Sequence, residues 1–262
     1  VAVLRYYAGW ADKGEGKTIP VDGDQFCMTV NEPIGVCAAI IPWNFPLLMW
    51  SWKVAPALAT GNVMLMKPAE QTPLTALWAQ QLCIDAGLPA GVLQTLTGFG
   101  ETGAALTHHM NIDKVAFTGS GEVGRLVMAA AAKSNLKSVT LELGGKSPLI
   151  IEADADIEKA DVDKAVKAAR VAWQSSRIYC HEAIYDKFVA AVTEAAKKRK
   201  VGDPTQADTE QGAQVDQEQF DKIMGFIENG KKEAKLCAGG ARVGDKGFFI
   251  ESTVFADVPE TA

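Results

Sequence analysis

The glycines between Gly119 and Gly124 have the spacing of a phosphate-binding turn. The segment reads GSGEVG and matches the G-x-G-x-x-G pattern of dinucleotide sites. It lies between a predicted strand that ends at Phe117 and a predicted helix that begins near Glu122. Glycines allow the backbone to approach a pyrophosphate, whose charge is stabilised by the amides of a helix N-terminus. The pattern alone is weak evidence, but its position between strand and helix favours a dinucleotide ligand.

Glu142 lies about 20 residues beyond this turn, where the standard dinucleotide fingerprint has an acidic residue that binds the adenosine ribose. That interpretation predicts a dehydrogenase of alcohols in which replacement of Glu142 weakens NAD affinity. The fingerprint normally follows the first strand of its domain, however, whereas three strand-helix units precede Gly119 in this chain. Spacing therefore leaves the role of Glu142 open.

Four short segments form a more specific pattern than the glycines alone. They are PWNFP (Pro42–Pro46), MKPAEQTP (Met66–Pro73), FTGSGEVG (Phe117–Gly124) and LELGGK (Leu141–Lys146). In this order they resemble motifs of the aldehyde dehydrogenase superfamily, and the resemblance covers nearly the whole chain. It is closest to the NAD-dependent cytosolic and mitochondrial class that oxidises broad aliphatic and aromatic aldehydes. The resemblance implies oxidation of an aldehyde substrate to a carboxylic acid, with NAD as the cofactor.

The resemblance gives catalytic roles to two polar residues. Asn44 would donate its side-chain amide to the developing oxyanion, and comparable donors contribute about 3 kcal/mol. Glu142 would be the general base that activates water to hydrolyse a thioester, which requires a carboxylate near the acyl carbon. As isolated residues, Asn44 would be a turn-capping amide and Glu142 a surface carboxylate at a strand end. Only the surrounding motifs favour the catalytic alternatives.

The resemblance also implies a set of contacts to NAD. Lys67 and Glu70 would hold the adenosine ribose hydroxyls, and the Glu70 carboxylate would repel the 2′-phosphate of NADP. Outside the motif, the same two residues would be a solvent-exposed ion pair. Ser120 and Val123 would lie against the pyrophosphate and adenine, and Gly144 would approach the nicotinamide. The full implied set is Ile40, Pro42, Trp43, Lys67, Glu70, Gly100, Phe117, Gly119, Ser120, Val123, Leu143 and Gly144.

The chain departs from the family pattern at the nucleophile. Family chemistry needs a cysteine thiolate that attacks the aldehyde, so that hydride leaves a thiohemiacetal and a thioester remains. Counting back from Arg177, which begins the next strand, places Ala172 in the position of that cysteine. The nearest thiol, Cys180, follows Arg177 in a predicted apolar strand, and Ser175 and Ser176 have no visible histidine base. The sequence therefore predicts a broken acyl route, and a non-catalytic binding, storage or scaffold protein is the alternative function.

Other departures are smaller. Gly121 stands where a threonine is more usual, a change that removes a side chain and is expected to be tolerated. The chain resembles roughly the middle half of a full-length member, so the segment that grips the nicotinamide ribose and the oligomerisation strand are expected to be missing. Open sheet edges in such a truncated chain favour association with another chain, and we expect a homo-oligomer.

Composition argues against several other functions. Lys and Arg number 26 against 32 Asp and Glu, and the net charge of -6 offers no electrostatic footprint for nucleic acid. The five cysteines are scattered without a CxxC pair, so neither a structural metal nor a disulfide scaffold is expected. No apolar run approaches the roughly 20 residues that cross a bilayer, and no signal segment is visible. We expect a soluble cytoplasmic protein, or an organelle-matrix protein if a transit segment was removed.

Alternating strands and helices must position the site residues. The predicted strands are Gly35–Ile41, Asn62–Lys67, Val92–Thr97 and Lys114–Phe117, and the helices that follow them begin near Leu47, Pro73, Glu101 and Glu122. The apolar spacing of Leu74, Leu77, Trp78 and Leu82 supports the second of these helices, which should end at Gly87. This alternation predicts an α/β protein, with a Rossmann-like parallel sheet and flanking helices as in the aldehyde dehydrogenase family.

A second, less regular α/β region begins near Lys146. SPLIIE predicts a strand, and three later segments predict helices, namely Asp161–Trp173, Tyr185–Lys198 and Glu218–Lys232. The glycines between Gly239 and Gly247 are typical of turns between short strands. We therefore predict an NAD-binding domain over residues 1–145 and part of a catalytic domain over residues 146–262.

Overall fold

The computed structural model describes residues 1–155 and 177–260, and the chain forms two compact units, Val1–Gly144 and Gly145–Ala262. The first unit contains the helices α1 (Ala2–Ala8), α2 (Pro46–Ala59), α3 (Leu74–Asp85), α4 (Gly100–His108) and α5 (Gly121–Lys133). Its strands are β1 (Thr18–Ile19), β2 (Cys27–Met28), β3 (Val36–Ile40), β4 (Val63–Lys67), β5 (Leu93–Thr95), β6 (Lys114–Gly119) and β7 (Ser138–Leu143). The four predicted strand-helix units are confirmed, with their boundaries displaced by two residues at most.

Five parallel strands form the central sheet of the first unit, in the order β5-β4-β3-β6-β7. The first of these strands in the chain, β3, lies in the middle. The chain then adds β4 and β5 on one side before it crosses to β6 and β7 on the other. This is the Rossmann order, and it creates a switch point between β3 and β6 outside whose carboxyl ends ligands bind. The predicted α/β class with a parallel sheet is confirmed.

Helices cover both faces of this sheet. Trp50 and Val54 of α2 and Ala76 of α3 pack in one buried cluster, whereas Leu106 of α4 and Val127 of α5 pack in another. Because the middle strand is buried on both faces, β3 reads VCAAI without polar alternation. The two helix layers thus hold the strand ends in fixed positions relative to one another.

Helix α3 has the predicted bounds but not the orientation that its apolar spacing suggests. Ala76 and Ala79 are its buried residues, whereas Leu74 and Trp78 are 76% and 60% exposed. Gly87 follows the helix with a φ of 94°, a left-handed conformation that favours glycine. The large apolar side chains of α3 therefore lie on the surface of this unit.

The second unit contains two short strand pairs, two described α-helices and a 3₁₀ helix, Glu182–Ile184. Strand β8 (Pro148–Ile151) is parallel to β9 (Arg177–Cys180), β10 (Lys235–Ala238) is antiparallel to β11 (Val254–Ala256), and the helices are α6 (Tyr185–Lys198) and α7 (Gln217–Glu233). These elements confirm the strand predicted at SPLIIE and the helices predicted from Tyr185 and Glu218. The helix predicted at Asp161–Trp173 lies outside the described residues. Within residues 1–155 and 177–260, every helix is too short or too polar to cross a bilayer.

Candidate functional site

One rung of the central sheet aligns residues from four neighbouring strands. Ile40 at the end of β3 pairs with Lys67 of β4 on one side and with Phe117 of β6 on the other. Phe117 in turn pairs with Leu141 of β7. The segment Pro42–Asn44 leaves the sheet directly beyond this rung. Residues from all four sequence motifs therefore meet at the carboxyl edge of the sheet, around the switch point.

Asn44 lies in the short connection between β3 and α2. The Ile41 amide donates to the Lys67 carbonyl at 3.1 Å, so the pairing of β3 continues to the start of this connection. Pro46 is the first residue of α2, where its missing amide hydrogen leaves no helical hydrogen bond unmade. Asn44 itself is exposed, so its amide is accessible from the edge of the sheet.

Lys67 and Glu70 form an ion pair just beyond β4. Lys67 Nζ lies 3.0 Å from Glu70 Oε2. The Lys67 side chain is only 6% exposed, whereas that of Glu70 is 35% exposed. The burial of Lys67 differs from the solvent-exposed ion pair that the isolated residues suggest. The pair presents a fixed hydrogen-bond donor beside an acceptor, an arrangement that suits a sugar diol.

Ser120 caps helix α5 directly after β6. Its Oγ accepts a hydrogen bond from the Val123 amide at 3.3 Å, and its carbonyl accepts one from the Gly124 amide at 2.9 Å. The helix start therefore has a defined geometry, and its dipole favours an anion. Sequence reasoning missed Thr118, two residues before Ser120, whose buried hydroxyl has no hydrogen-bond partner within the described part of the chain. Such an unpaired hydroxyl beside the turn is consistent with a polar ligand.

Two glycines of the turn lie close to neighbouring side chains. A Cβ on Gly119 would lie 2.6 Å from the Phe117 ring, and one on Gly124 would lie 2.8 Å from the Leu143 side chain. A Cβ on Gly121 would meet no atom within 4 Å. The Cβ of the threonine that is usual in the family would therefore fit at Gly121, in agreement with the expected tolerance of that position.

Strand β7 carries Glu142 at one side of the sheet. Val139 and Leu141 pack against the cluster under α4 and α5, so Glu142 points toward the opposite face, which α2 covers. Glu142 is exposed. The Gly144 amide donates to the Gly119 carbonyl at 3.3 Å, which ties the chain after Glu142 to the glycine turn.

The start of helix α4 also lies at this edge. Gly100 is its first residue, and a Cβ on Gly103 would lie 3.5 Å from Ile40 Cδ1, so the first turn of α4 lies over the end of β3. The structure thus brings every sequence-predicted site residue to the carboxyl edge of one sheet. Their individual roles remain predictions.

Lys53 of α2 is a charged neighbour of Glu142 that sequence reasoning missed. Burial lowers the pKa of the Lys53 ammonium, the Glu142 carboxylate opposes this effect, and Lys114 adds to it. The available signal was a single lysine within the apolar helix PLLMWSWKVAPALA. That Glu142 is the neighbour of Lys53 follows only from the strand order, because β7 is distant from α2 in sequence.

Replacing Lys53 with methionine is expected to remove a pH-dependent part of the unfolding free energy. Burial lowers the folded-state pKa below the ordinary 10.5. The unfolded chain then holds this proton more tightly, so stability rises with pH between the folded and unfolded pKa values. Urea unfolding from about pH 7 to about pH 10 should give a shallower rise for Lys53→Met than for wild type. Lys133→Met, at the exposed end of α5, is the control, and equal slopes for Lys53→Met and wild type would contradict the assignment.

Three of the five described thiols are weak candidates for the missing nucleophile. Cys180 packs partly buried beside Phe188 and Val192, and burial raises its pKa. Burial likewise raises the pKa of Cys37 and Cys83, so all three thiols are largely protonated at neutral pH. The predicted nucleophile position and its alternatives, Ala172, Ser175 and Ser176, lie outside the described residues. Within residues 1–155 and 177–260, no three His, Cys, Asp or Glu side chains are grouped to hold a metal ion.

Comparison with known proteins finds relatives along the whole chain. Residues 1–262 match the model of the aldehyde dehydrogenase family. The human protein named aldehyde dehydrogenase, mitochondrial, is 56% identical over 263 residues, which cover 98% of this chain and 51% of that protein. Omega-crystallin from Nototodarus sloanii is 54% identical over 267 residues, which cover 99% of this chain and 54% of that protein.

Comparison with solved structures finds the same fold in a relative. The NAD+ complex of the aldehyde dehydrogenase from Bacillus cereus matches with a TM-score of 0.93 and 46% identity, over 97% of this chain and 53% of that one. The chain thus spans about half the length of the relatives that it matches. The resemblance predicted from the four motifs is confirmed.

Proposed function

Because the chain belongs to the aldehyde dehydrogenase family, we propose that it supplies the NAD site and the water-activating base for the oxidation of aldehydes to carboxylic acids. One observation carries the proposal: Asn44, the Lys67–Glu70 pair, the helix capped by Ser120 and Glu142 converge at one edge of a parallel sheet. In this proposal residues 1–145 are the NAD-binding domain, and residues 146–262 are part of the catalytic domain.

The residues at this edge fit NAD. Lys67 Nζ and Glu70 Oε2, 3.0 Å apart, supply a donor and an acceptor for the two hydroxyls of the adenosine ribose. The diphosphate would lie at the start of α5, where the glycine turn lets the backbone approach the ligand and the helix favours negative charge. The Glu70 carboxylate favours NAD over NADP, since it would repel a 2′-phosphate. When bound, NAD supplies the acceptor for the hydride that leaves the substrate.

Asn44 and Glu142 are the proposed catalytic residues. The Asn44 amide donates to the substrate oxygen as negative charge develops there, and loss of such a donor typically costs about 3 kcal/mol of transition-state stabilisation. Glu142 accepts a proton from the water that hydrolyses the thioester, and the thiolate that forms this thioester and leaves on hydrolysis must come from a nucleophile outside Ala168–Arg177. Only β6 separates β3 from β7, so the ends of these two strands lie about 10 Å apart. That separation accommodates a substrate carbonyl and a water between the two side chains.

Exposed aromatic side chains at the start of α2 favour an apolar aldehyde. Phe45 is 42% exposed and Trp52 is 41% exposed. Phe45 is the N-terminal cap of α2, and Trp52 lies seven residues further along the chain, in the second turn of that helix. These accessible rings would contact the hydrocarbon part of a substrate whose carbonyl is at Asn44. We therefore propose aliphatic and aromatic aldehydes as the substrate class.

A non-catalytic role is the second candidate, and two observations favour it. The passage Ala168–Arg177, AARVAWQSSR, lacks the nucleophilic cysteine that family chemistry needs. In addition, a relative with 54% identity carries the name omega-crystallin, not the name of a dehydrogenase. A chain of this kind would keep the fold and the NAD site without turnover.

NAD binding and turnover, measured on the same preparation, distinguish the two candidates. Intact mass and a peptide map first verify the 262 residues and the Ala168–Arg177 passage. Calorimetric titration then measures NAD affinity, and absorbance measures NADH formation from acetaldehyde and benzaldehyde at high protein concentration. Binding with turnover supports the enzyme, and binding without turnover supports the non-catalytic relative. Absence of both would contradict the proposed site.

Replacing Glu142 with glutamine should leave NAD affinity within about twofold of wild type, because the proposed base contacts water and not the adenosine ribose. In a preparation that turns over, steady-state NADH formation should fall at least about 100-fold, because general-base catalysis contributes that much. Calorimetry and the absorbance assay check the two expectations separately. A loss of NAD affinity of about tenfold or more would instead support the ribose-binding interpretation of Glu142.

We further propose that the chain forms a homo-oligomer in a reducing compartment, either the cytoplasm or an organelle matrix. The exposed apolar side chains of Trp78 on α3 and Leu126 on α5, 60% and 66% exposed, support association. Strand β7 is the last strand of the sheet within the described residues, and its outer edge offers a further surface. Five free thiols agree with a reducing environment. Analytical ultracentrifugation over a range of concentrations tests the assembly.

A further inference from the structure

A buried lysine joins the far ends of the two helices whose starts lie at the proposed NAD site. Lys137, which directly precedes β7, is 6% exposed. Its Nζ donates to the Thr107 carbonyl at 2.8 Å and to Ser134 Oγ at 2.7 Å. Thr107 lies in the last turn of α4, and Ser134 is the C-terminal cap of α5. One ammonium group therefore bridges the carboxyl ends of both helices.

The surrounding connections reinforce this bridge. Asn135 Nδ2 donates to the carbonyls of Met110 and Ile112, at 2.8 and 2.9 Å, in the connection that follows α4. Between Asn135 and Lys137, Leu136 has a φ of 58°, a left-handed conformation that is unfavourable for a residue with a Cβ. Side-chain bonds on both sides hold the backbone in this conformation. The junction is therefore fixed in one arrangement.

Lysine is an unfavourable residue for a buried position that only needs to be filled, because its charged group must be removed from water. Burial lowers the pKa of Lys137, which reflects the cost of removing the ammonium from water. A buried charge adds little net stability when an apolar side chain of similar shape can replace it. Its directional bonds to Thr107 and Ser134 instead fix the positions of two helix ends.

We propose that Lys137 is a positioning residue, which sets the separation of α4 and α5 and thereby the shape of the NAD site at their N-terminal ends. This inference rests on the proposed function. Leu106 of α4 and Val127 of α5 pack in one cluster, and the two helices are about 14 Å and 20 Å long. A rigid helix that pivots on this cluster moves its start when its end is released. Gly100 and Ser120, at those starts, would then shift against the cofactor.

The test compares three variants by NAD titration, thermal unfolding and amide hydrogen exchange. Lys137→Met keeps the apolar stem and removes the donors, whereas Lys137→Arg keeps a buried donor. Asn62→Ala is the matched control, because it also removes a buried polar side chain with backbone bonds, to the Gly35 amide and the Ala57 carbonyl, but at the α2–β4 connection.

Lys137→Met should weaken NAD binding about tenfold and speed exchange of the amides of residues 104–106 and 124–126. Lys137→Arg should restore most of both properties, and Asn62→Ala should lower the melting temperature with less than about a twofold change in NAD affinity. Unchanged exchange and affinity in folded Lys137→Met would overturn the proposal, whatever the change in melting temperature. If the wild-type chain binds no NAD, the proposed function fails by itself, and the exchange measurement alone decides whether Lys137 positions the two helix starts.

Discussion

Alanine at Gly119 is expected to weaken NAD binding about 30-fold, whereas alanine at Gly121 changes it by less than about twofold. The new Cβ at Gly119 would lie 2.6 Å from the Phe117 ring, which is itself only 4% exposed. Either the ring or the turn must move, and both belong to the proposed NAD site. The same methyl group at Gly121 meets no atom within 4 Å.

The two variants form a matched pair because they make the same substitution in the same turn. Calorimetric titration with NAD measures affinity, and urea unfolding measures the accompanying loss of stability, which overpacking should set at about 1–3 kcal/mol for Gly119→Ala. Gly121→Thr extends the control with the side chain that is more usual in the family. A folded Gly119→Ala protein that binds NAD as wild type does would contradict the assignment of this turn to the cofactor.

The central fold is accessible from sequence because its signals are local. Strands buried on both faces form continuous apolar runs, such as VCAAI, and the helices have clear start signals in Pro46 and Ser120. Helix α1 and the β1–β2 pair have no comparable signal. Strands of two residues, Thr18–Ile19 and Cys27–Met28, are too short for any period to be recognised in a polar segment.

Site residues are predictable for a different reason. In a parallel sheet all carboxyl ends lie at one edge, so motifs that follow strands also lie near one another. Contacts across the fold have no such signal. The proximity of Lys53 to Glu142, and of Lys137 to Thr107, depends on strand order and on which side of each helix faces the sheet. Helix α3 illustrates this limit, because its alanines are buried and its leucines are exposed.

Strand order also bears on the two interpretations of Glu142. Glu70 follows β4, whereas Glu142 lies on β7, and β3 and β6 separate these strands. Three strand spacings amount to about 14 Å, too far for both carboxylates to bind the hydroxyls of one ribose. The buried Lys67 beside Glu70 therefore supports the proposal that the adenosine ribose binds at the end of β4 and that Glu142 acts as a base.

Removal of Glu70 is expected to destabilise the protein more than removal of its partner. Glu70→Ala leaves the Lys67 ammonium, on a side chain that is 6% exposed, without this carboxylate, and should lower the free energy of unfolding by about 3 kcal/mol. Lys67→Met leaves a carboxylate that is 35% exposed and can be hydrated, so its cost should be about 1 kcal/mol. Urea unfolding of both variants measures this difference.

The same pair should also determine cofactor affinity and choice. Both variants should weaken NAD binding at least about tenfold, because each removes a charged partner of the ribose. Only Glu70→Ala should reduce the preference for NAD over NADP, by about tenfold, since it alone removes the charge that repels the 2′-phosphate. The exposed pair Lys197–Glu194, with the same i,i+3 spacing and an N–O distance of 3.3 Å, provides the control, and Glu194→Ala should change the unfolding free energy by less than about 0.5 kcal/mol. If Glu70→Ala kept the wild-type preference for NAD, the adenosine ribose would have to bind away from β4.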